Sequence, residues 1–166
     1  MSILLIGLGS PFGDDAAGPA VVSRLVAEGL PAGVRVLMPR RPDALLDALE
    51  GAEAAVLVDA SRAGLAPGTV HEPVAEALGE ARALSSHGLG VAGALALAAA
   101  LGRAPRKLAV VAVEASALDG EGLSAPVRAA LPEAARRVRA KIAAFAQAAG
   151  ETGAPPQRPA EGLGRA

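Results

Sequence analysis

The chain has no cysteine, tryptophan or tyrosine, and only two phenylalanines among its 166 residues. The absence of cysteine excludes disulfides, thiolate metal ligands and a cysteine nucleophile. The scarcity of aromatic rings removes the stacking platforms on which single-stranded nucleic acid is usually bound. The formal net charge is only −1 at pH 7, so the chain has no basic footprint for DNA or an anionic membrane. We therefore expect no nucleic-acid partner and no membrane partner.

Long apolar runs are missing as well. The longest, Gly90 to Leu101, is far shorter than the roughly 20 residues of a membrane-spanning helix, and Met1 to Gly7 lacks the basic segment of a secretory signal. Hydrophobic residues still make up 52% of the chain, which is ample for a core. We expect a cytoplasmic monomer with one domain over residues 1–149. The tail, residues 150–166, is rich in Gly, Pro, Glu and Arg and is predicted to be disordered.

Short aliphatic segments alternate with segments of helical periodicity. The predicted strands are Ser2–Gly7, Val34–Met38, Ala54–Val58 and Lys107–Val113, with an edge strand within Gly68–Val74. The predicted helices are Ala16–Glu28, Pro42–Glu50, Leu89–Leu101 and Ala125–Ala148. This alternation predicts an α/β fold of three layers, in which a twisted, mostly parallel sheet of about five strands carries helices on both faces.

Polar residues follow the strands at three places: within Gly7–Asp15, at Asp59, and within Ser85–Gly90. The carboxyl ends of parallel strands share one edge of an open sheet, so these segments are expected to meet there. Asp15, Asp59 and His87 together offer two carboxylates and one imidazole, a ligand set suited to Ni, Zn or Mn. Three protein ligands leave positions open for water or a substrate group, as a catalytic site requires.

A dinucleotide site is the first alternative, because glycines follow a strand and precede a helix. Gly7, Gly9 and Gly13 are spaced GxGxxxG, however, and not GxGxxG. Asp14 and Asp15 would also repel a pyrophosphate at the positive end of the helix. The sequence therefore disfavours this interpretation.

Each candidate residue taken alone also has a structural interpretation. Asp14 is expected to cap the helix that follows it, with a general base as the alternative role. Asp59 alone would be a loop acceptor, and His87 alone a structural histidine. His71 is interpreted as a surface residue outside the site. A serine mechanism is rejected because the candidate serines lack the nucleophile-elbow signature; they are Ser10, Ser85 and Ser86.

Six segments occur in an order that resembles the hydrogenase maturation endopeptidases. They are GLGSPFGDDAAGP, VLVDAS, PGTV, SSHGLG, KLAVVAVEA and GLSAPVRAALPEA, and they span roughly residues 2 to 145. The resemblance implies a twisted sheet between helices and an endopeptidase with an unusual substrate. It would cut a C-terminal extension from the large-subunit precursor of a nickel–iron hydrogenase after nickel insertion. The resemblance also implies that Asp15, Asp59 and His87 meet the nickel, which the substrate supplies; other divalent ions can occupy the site in the isolated protein.

The chain departs from the family pattern mainly near the predicted site. The first loop is about one residue shorter, Ser10 replaces a typical asparagine, and Ala16 replaces a common glycine. Pro39 to Pro42 replaces a small, often acid-containing stretch, so Arg40 and Arg41 are hypothesised to meet an acidic part of a particular precursor. These departures also keep open a non-catalytic alternative, in which the protein binds the nickel site as an assembly checkpoint.

Overall fold

A five-stranded sheet forms the centre of the protein in a computed structural model that describes residues 2–39, 44–73 and 91–151. The strands are β1 (Ile3–Gly7), β2 (Val34–Leu37), β3 (Ala54–Ser61), β4 (Val70–His71) and β5 (Lys107–Glu114). Their order across the sheet is β2-β1-β3-β5-β4. All neighbours are parallel except β4, which runs antiparallel to β5 at the edge. The mostly parallel sheet of the sequence prediction is confirmed.

The described residues also form one 3₁₀ turn and four α-helices. They are the 3₁₀ turn Gly13–Ala16, α1 (Ala17–Glu28), α2 (Ala44–Leu49), α3 (Val91–Ala100) and α4 (Ala125–Glu151). Each α-helix lies where helical periodicity predicts one, although α4 ends at Glu151 and not at Ala148. The predicted starts of α2 and α3 lie outside the described residues.

Helices cover both faces of the sheet, because alternate residues of each buried strand point to opposite sides. On one face, Val56 and Val58 of β3 pack in a cluster with residues of α1 and α4 such as Leu25 and Val138. On the other face, the cluster joins Leu57 to residues of α2 and α3. The members of this second cluster from the helices are Leu45, Leu49, Ala94, Leu95 and Ala98. The predicted three-layer arrangement is therefore correct.

The first turn of α1 lies directly against the sheet, and Gly18 makes this possible. A Cβ atom at Gly18 would overlap two backbone atoms, the carbonyl oxygens of Leu8, just after β1, and of Val58, within β3. No side chain could move aside to relieve that overlap. The glycine thus brings the segment before α1, which carries Asp14 and Asp15, to the carboxyl edge of the sheet.

Two predictions concern segments that the structure tests only in part. Residues 40–43, 74–90 and 152–166 lie outside the described residues, so the predicted disordered tail stays a prediction, as does the single-domain boundary. Within the described part of the chain, no helix is long and apolar enough to cross a membrane.

We expect Gly18→Ala to lower the free energy of unfolding by about 1–3 kcal/mol, because the new methyl group overpacks a backbone contact. Urea denaturation would measure the change. Ala27→Gln on the exposed side of the same helix is the control and should change stability by less than about 0.5 kcal/mol. Equal stability of Gly18→Ala and wild type would contradict the close approach of α1 to the sheet.

Candidate functional site

Asp15 is held at the carboxyl edge of the sheet by the loop that follows β1. Its Oδ2 atom accepts a hydrogen bond of 2.6 Å from the backbone N–H of Ser10. Gly9 adopts a φ of +135°, and a Cβ atom there would overlap the carbonyl oxygen of Asp15. The loop can therefore close around Asp15 only because position 9 is glycine.

Asp59 lies inside β3 and not after it, which corrects the predicted strand end at Val58. The strand continues to Ser61, since its pairing with β5 extends from Ala54 to Ser61. The Asp59 side chain is half-buried, and its Oδ1 atom accepts a 2.8 Å hydrogen bond from the N–H of Ala60. Strand geometry therefore fixes the backbone of this acid.

Asp15 and Asp59 influence each other electrostatically. The pKa of Asp59 is raised to about 7, chiefly by burial; the hydrogen bond from Ala60 acts in the opposite direction, and the negative charge of Asp15 adds a smaller increase. Two carboxylates that repel each other's charge favour a proton or a cation between them. Asp59 therefore has a pKa far from that of free aspartate.

The two carboxylates also keep oxygen atoms available for a ligand. Oδ1 of Asp15 and Oδ2 of Asp59 have no hydrogen-bond partner among the described residues. Carboxylate oxygens accept divalent cations such as Ni and Mn, so the pair fits a partial metal site. His87, the predicted third ligand, lies outside the described residues, as do Arg40 and Arg41. The described residues alone contain no group of three His, Asp or Glu that could hold a metal ion.

Asp14 differs from its neighbour because it is buried and fully hydrogen-bonded. The sequence predicts that its carboxylate caps the helix that follows. In the structure it accepts hydrogen bonds from the loop after β5 instead. The donors are the backbone N–H groups of Ser116 (2.8 Å), Ala117 (3.1 Å) and Ser124 (2.6 Å), and the Ser124 hydroxyl (2.8 Å). Burial alone would raise the pKa of Asp14, but these hydrogen bonds outweigh it and the pKa is lowered. Its role is structural.

A second buried carboxylate, Glu114 at the end of β5, was missed by sequence reasoning. It accepts hydrogen bonds from the Ser61 hydroxyl and from three successive backbone N–H groups. His71 is half-buried, with its Nε2 atom 2.8 Å from the Ser61 hydroxyl oxygen, so it is more than the surface residue that the sequence indicates. The available signal was a single acid closing the otherwise apolar strand that begins at Lys107.

A family model described as hydrogenase maturation protease (HycI) matches residues 40–141, which is more than half of the chain. The chain belongs to the hydrogenase maturation protease family. The resemblance read from the sequence segments is confirmed. A comparison with the curated proteins gave no match.

Solved structures agree with the family assignment of this protease. The hydrogenase maturating endopeptidase HybD from E. coli is 28% identical with a TM-score of 0.72, over 92% of this chain and 94% of that chain. The [NiFe] hydrogenase maturation protease HybD from Thermococcus kodakarensis is 30% identical with a TM-score of 0.64, over 83% and 97%. An endopeptidase from Escherichia coli is 27% identical with a TM-score of 0.75, over 86% and 92%. These relatives support peptidase activity.

The geometry of the protease also argues against the nucleotide site that the sequence disfavours and against the serine mechanism that it rejects. The Ser10 N–H, which a nucleotide phosphate would need, is already bound by Asp15 of the same loop. Ser61 contacts a histidine, but its hydroxyl proton is donated to Glu114. His71 must therefore donate to the serine oxygen, which is the opposite of the proton transfer that activates a serine nucleophile.

We expect Asp59→Asn to stabilise the protease at pH 8 and to leave its stability unchanged below pH 3.8, the ordinary pKa of aspartate. Because the pKa of Asp59 is raised on folding, the folded state binds the proton more tightly, and wild type loses stability as the pH rises from 3.8 to about 7. Thermal unfolding between pH 3 and pH 8 would measure this. Asp47→Asn, at an exposed acid of α2, is the control and should leave stability unchanged both at pH 8 and below pH 3.8. An Asp59→Asn protein that is less stable than wild type at pH 8 would refute the prediction.

We expect Asp14→Asn to have the opposite effect and to destabilise the protease at pH 7 by about 2 kcal/mol or more, because several donors lose their ionised acceptor. The lowered pKa of Asp14 contributes stability that is complete above pH 3.8 and is lost as the pH falls through the lower folded value. The difference between wild type and variant should therefore shrink in strong acid. A constant difference from pH 7 to pH 2 in urea denaturation would contradict this.

Proposed function

We propose that this protease removes the C-terminal extension of a nickel–iron hydrogenase large-subunit precursor after nickel insertion, and that it recognises the nickel on its substrate. The Asp15–Asp59 pair is the observation that carries the proposal. It combines mutual repulsion with one available oxygen atom on each carboxylate. A divalent cation would relieve that repulsion, and His87 is proposed as the third group to meet it.

In this proposal the residues of the chain bind the substrate's metal and exchange protons. The Ser10 N–H orients Asp15, so that one carboxylate oxygen is presented in a fixed direction. Asp59, with a pKa of about 7 in the metal-free protein, can hold a proton near neutral pH and would exchange it for the substrate's cation. The substrate nickel would supply polarisation of the scissile carbonyl or a lowered pKa of a bound water. The protease is proposed to meet its precursor in the cytoplasm as a monomer.

Arg40 and Arg41 are proposed to select the precursor through an acidic segment. They follow β2, whose carboxyl end lies beside that of β1 in the sheet. Reversing both charges to glutamate should weaken precursor binding, which surface plasmon resonance would measure. Unchanged affinity would remove this part of the proposal without affecting the cleavage reaction.

Mass spectrometry of a nickel-loaded large-subunit precursor, before and after incubation with the protease, tests the proposed function. We expect wild type to release a C-terminal peptide, and Asp15→Ala, Asp59→Ala and His87→Ala to slow release by at least about 100-fold, because each removes a group at the reacting centre. Asp47→Asn is the control and should cleave normally. A nickel-free precursor should remain intact.

Two other outcomes would overturn parts of this proposal. Nickel-dependent binding of the precursor without peptide release would favour the assembly checkpoint over the protease. Equal cleavage of nickel-loaded and nickel-free precursors would show that the protease does not recognise the metal.

A further inference from the structure

The strand that carries Asp59 extends beyond its neighbour on one side. β1 pairs with β3 only as far as the Gly7–Val58 pair, whereas β5 remains paired with β3 as far as Ser61. Asp59 and the two residues after it are therefore paired on one side only, with β5, and β5 is itself paired with β4 at Ala112 and Val113. No strand among the described residues pairs with the other side of Asp59, so its position depends on further contacts near the end of β3.

The carboxylate of Glu114 supplies such contacts at the end of β3. It is buried, with only 3% of its surface exposed, and accepts hydrogen bonds from the Ser61 hydroxyl at 2.8 Å and from Ala63 N–H at 3.0 Å. The N–H groups of Gly64 (2.9 Å) and Leu65 (3.2 Å) bind its other oxygen. One buried acid thus fixes both the last residue of β3 and the turn that follows.

These hydrogen bonds of Glu114 form a tether at the end of β3. The tether acts on the same side of the sheet as Asp59. Ser61 is paired with Glu114, and Asp59 is paired with Ala112, two residues earlier on each strand. Because side chains alternate along a strand, Asp59 and Ser61 project from the same face. His71, which is paired with Ala112 from the other side, donates to the Ser61 oxygen and restrains it from β4.

We infer that Glu114 is a positioning residue for Asp59, acting through Ser61 and the turn at residues 62–65. This inference rests on the proposed function, since Asp59 needs accurate placement only if it meets the substrate's metal and scissile bond. Groups that orient a ligating side chain typically contribute about 10- to 100-fold to metal affinity or activity. In the described structure Glu114 makes no contact with Asp59 itself. It holds the strand on which Asp59 lies, as a positioning residue does.

Glu114→Gln tests the inference, because the amide side chain keeps the shape of the carboxylate but presents N–H donors of its own to the backbone N–H groups that donate to Glu114. Amide hydrogen exchange, followed by NMR in the protease alone, should become about 10-fold faster at Ala60 and Ser61. Exchange at Val56, in the same strand, should change no more in Glu114→Gln than it does in the control variant Ile142→Val, a substitution in the core of α4. Ser61→Ala is the second variant, should Glu114→Gln fail to fold, and should show the same local increase.

Cleavage of the nickel-loaded precursor provides the functional measurement. We expect Glu114→Gln to lower kcat by about 10-fold with a much smaller change in KM, because a misplaced Asp59 affects the transition state more than binding. Ile142→Val should keep the wild-type kcat. Uniform acceleration of exchange along β3, or an unchanged kcat, would overturn the positioning role. Failure of wild type to cleave would instead refute the proposed function, while the exchange measurement would still report on the tether.

Discussion

The pairing of β3 with β5 continues beyond the end of β1, and the candidate site depends on this extension. β1 leaves β3 at Val58, while β5 accompanies it to Ser61. Asp59 consequently has the fixed backbone of a strand, but its β1 side is open toward the loop that carries Asp15. If β3 ended at Val58, Asp59 would begin a loop without a partner to hold its backbone. The same extension places Ser61 beside Glu114.

Three acids at this edge differ in function because they differ in the number of donors around them. Asp14 and Glu114 are both buried, and each accepts four hydrogen bonds, so each remains ionised with a lowered pKa. Such carboxylates are satisfied and hold loops together. Asp59 accepts one hydrogen bond, and burial, with a smaller contribution from the charge of Asp15, raises its pKa to about 7. Asp59, unlike its better-bonded neighbours, keeps one carboxylate oxygen without a hydrogen-bond partner among the described residues.

The composition of the site agrees with a metal that arrives on the substrate. As proposed, Asp15, Asp59 and His87 would offer fewer ligands than the four that usually close a structural site. The charge repulsion between Asp15 and Asp59 provides attraction for a cation without requiring that the protease hold one permanently.

Local patterns in the chain were sufficient for the elements and for part of the site. Apolar runs and helical periodicity predicted the strands and helices, and the shared edge of parallel strands predicted that Asp15 and Asp59 would meet. The end of β3, the partners of Asp14 and the tether at Glu114 could not be predicted in this way. Asp14 binds residues more than 100 positions away, and Glu114 binds residues about 50 positions away. Such contacts leave no periodic signal, because which distant residues become partners is decided only when the sheet and its loops have assembled.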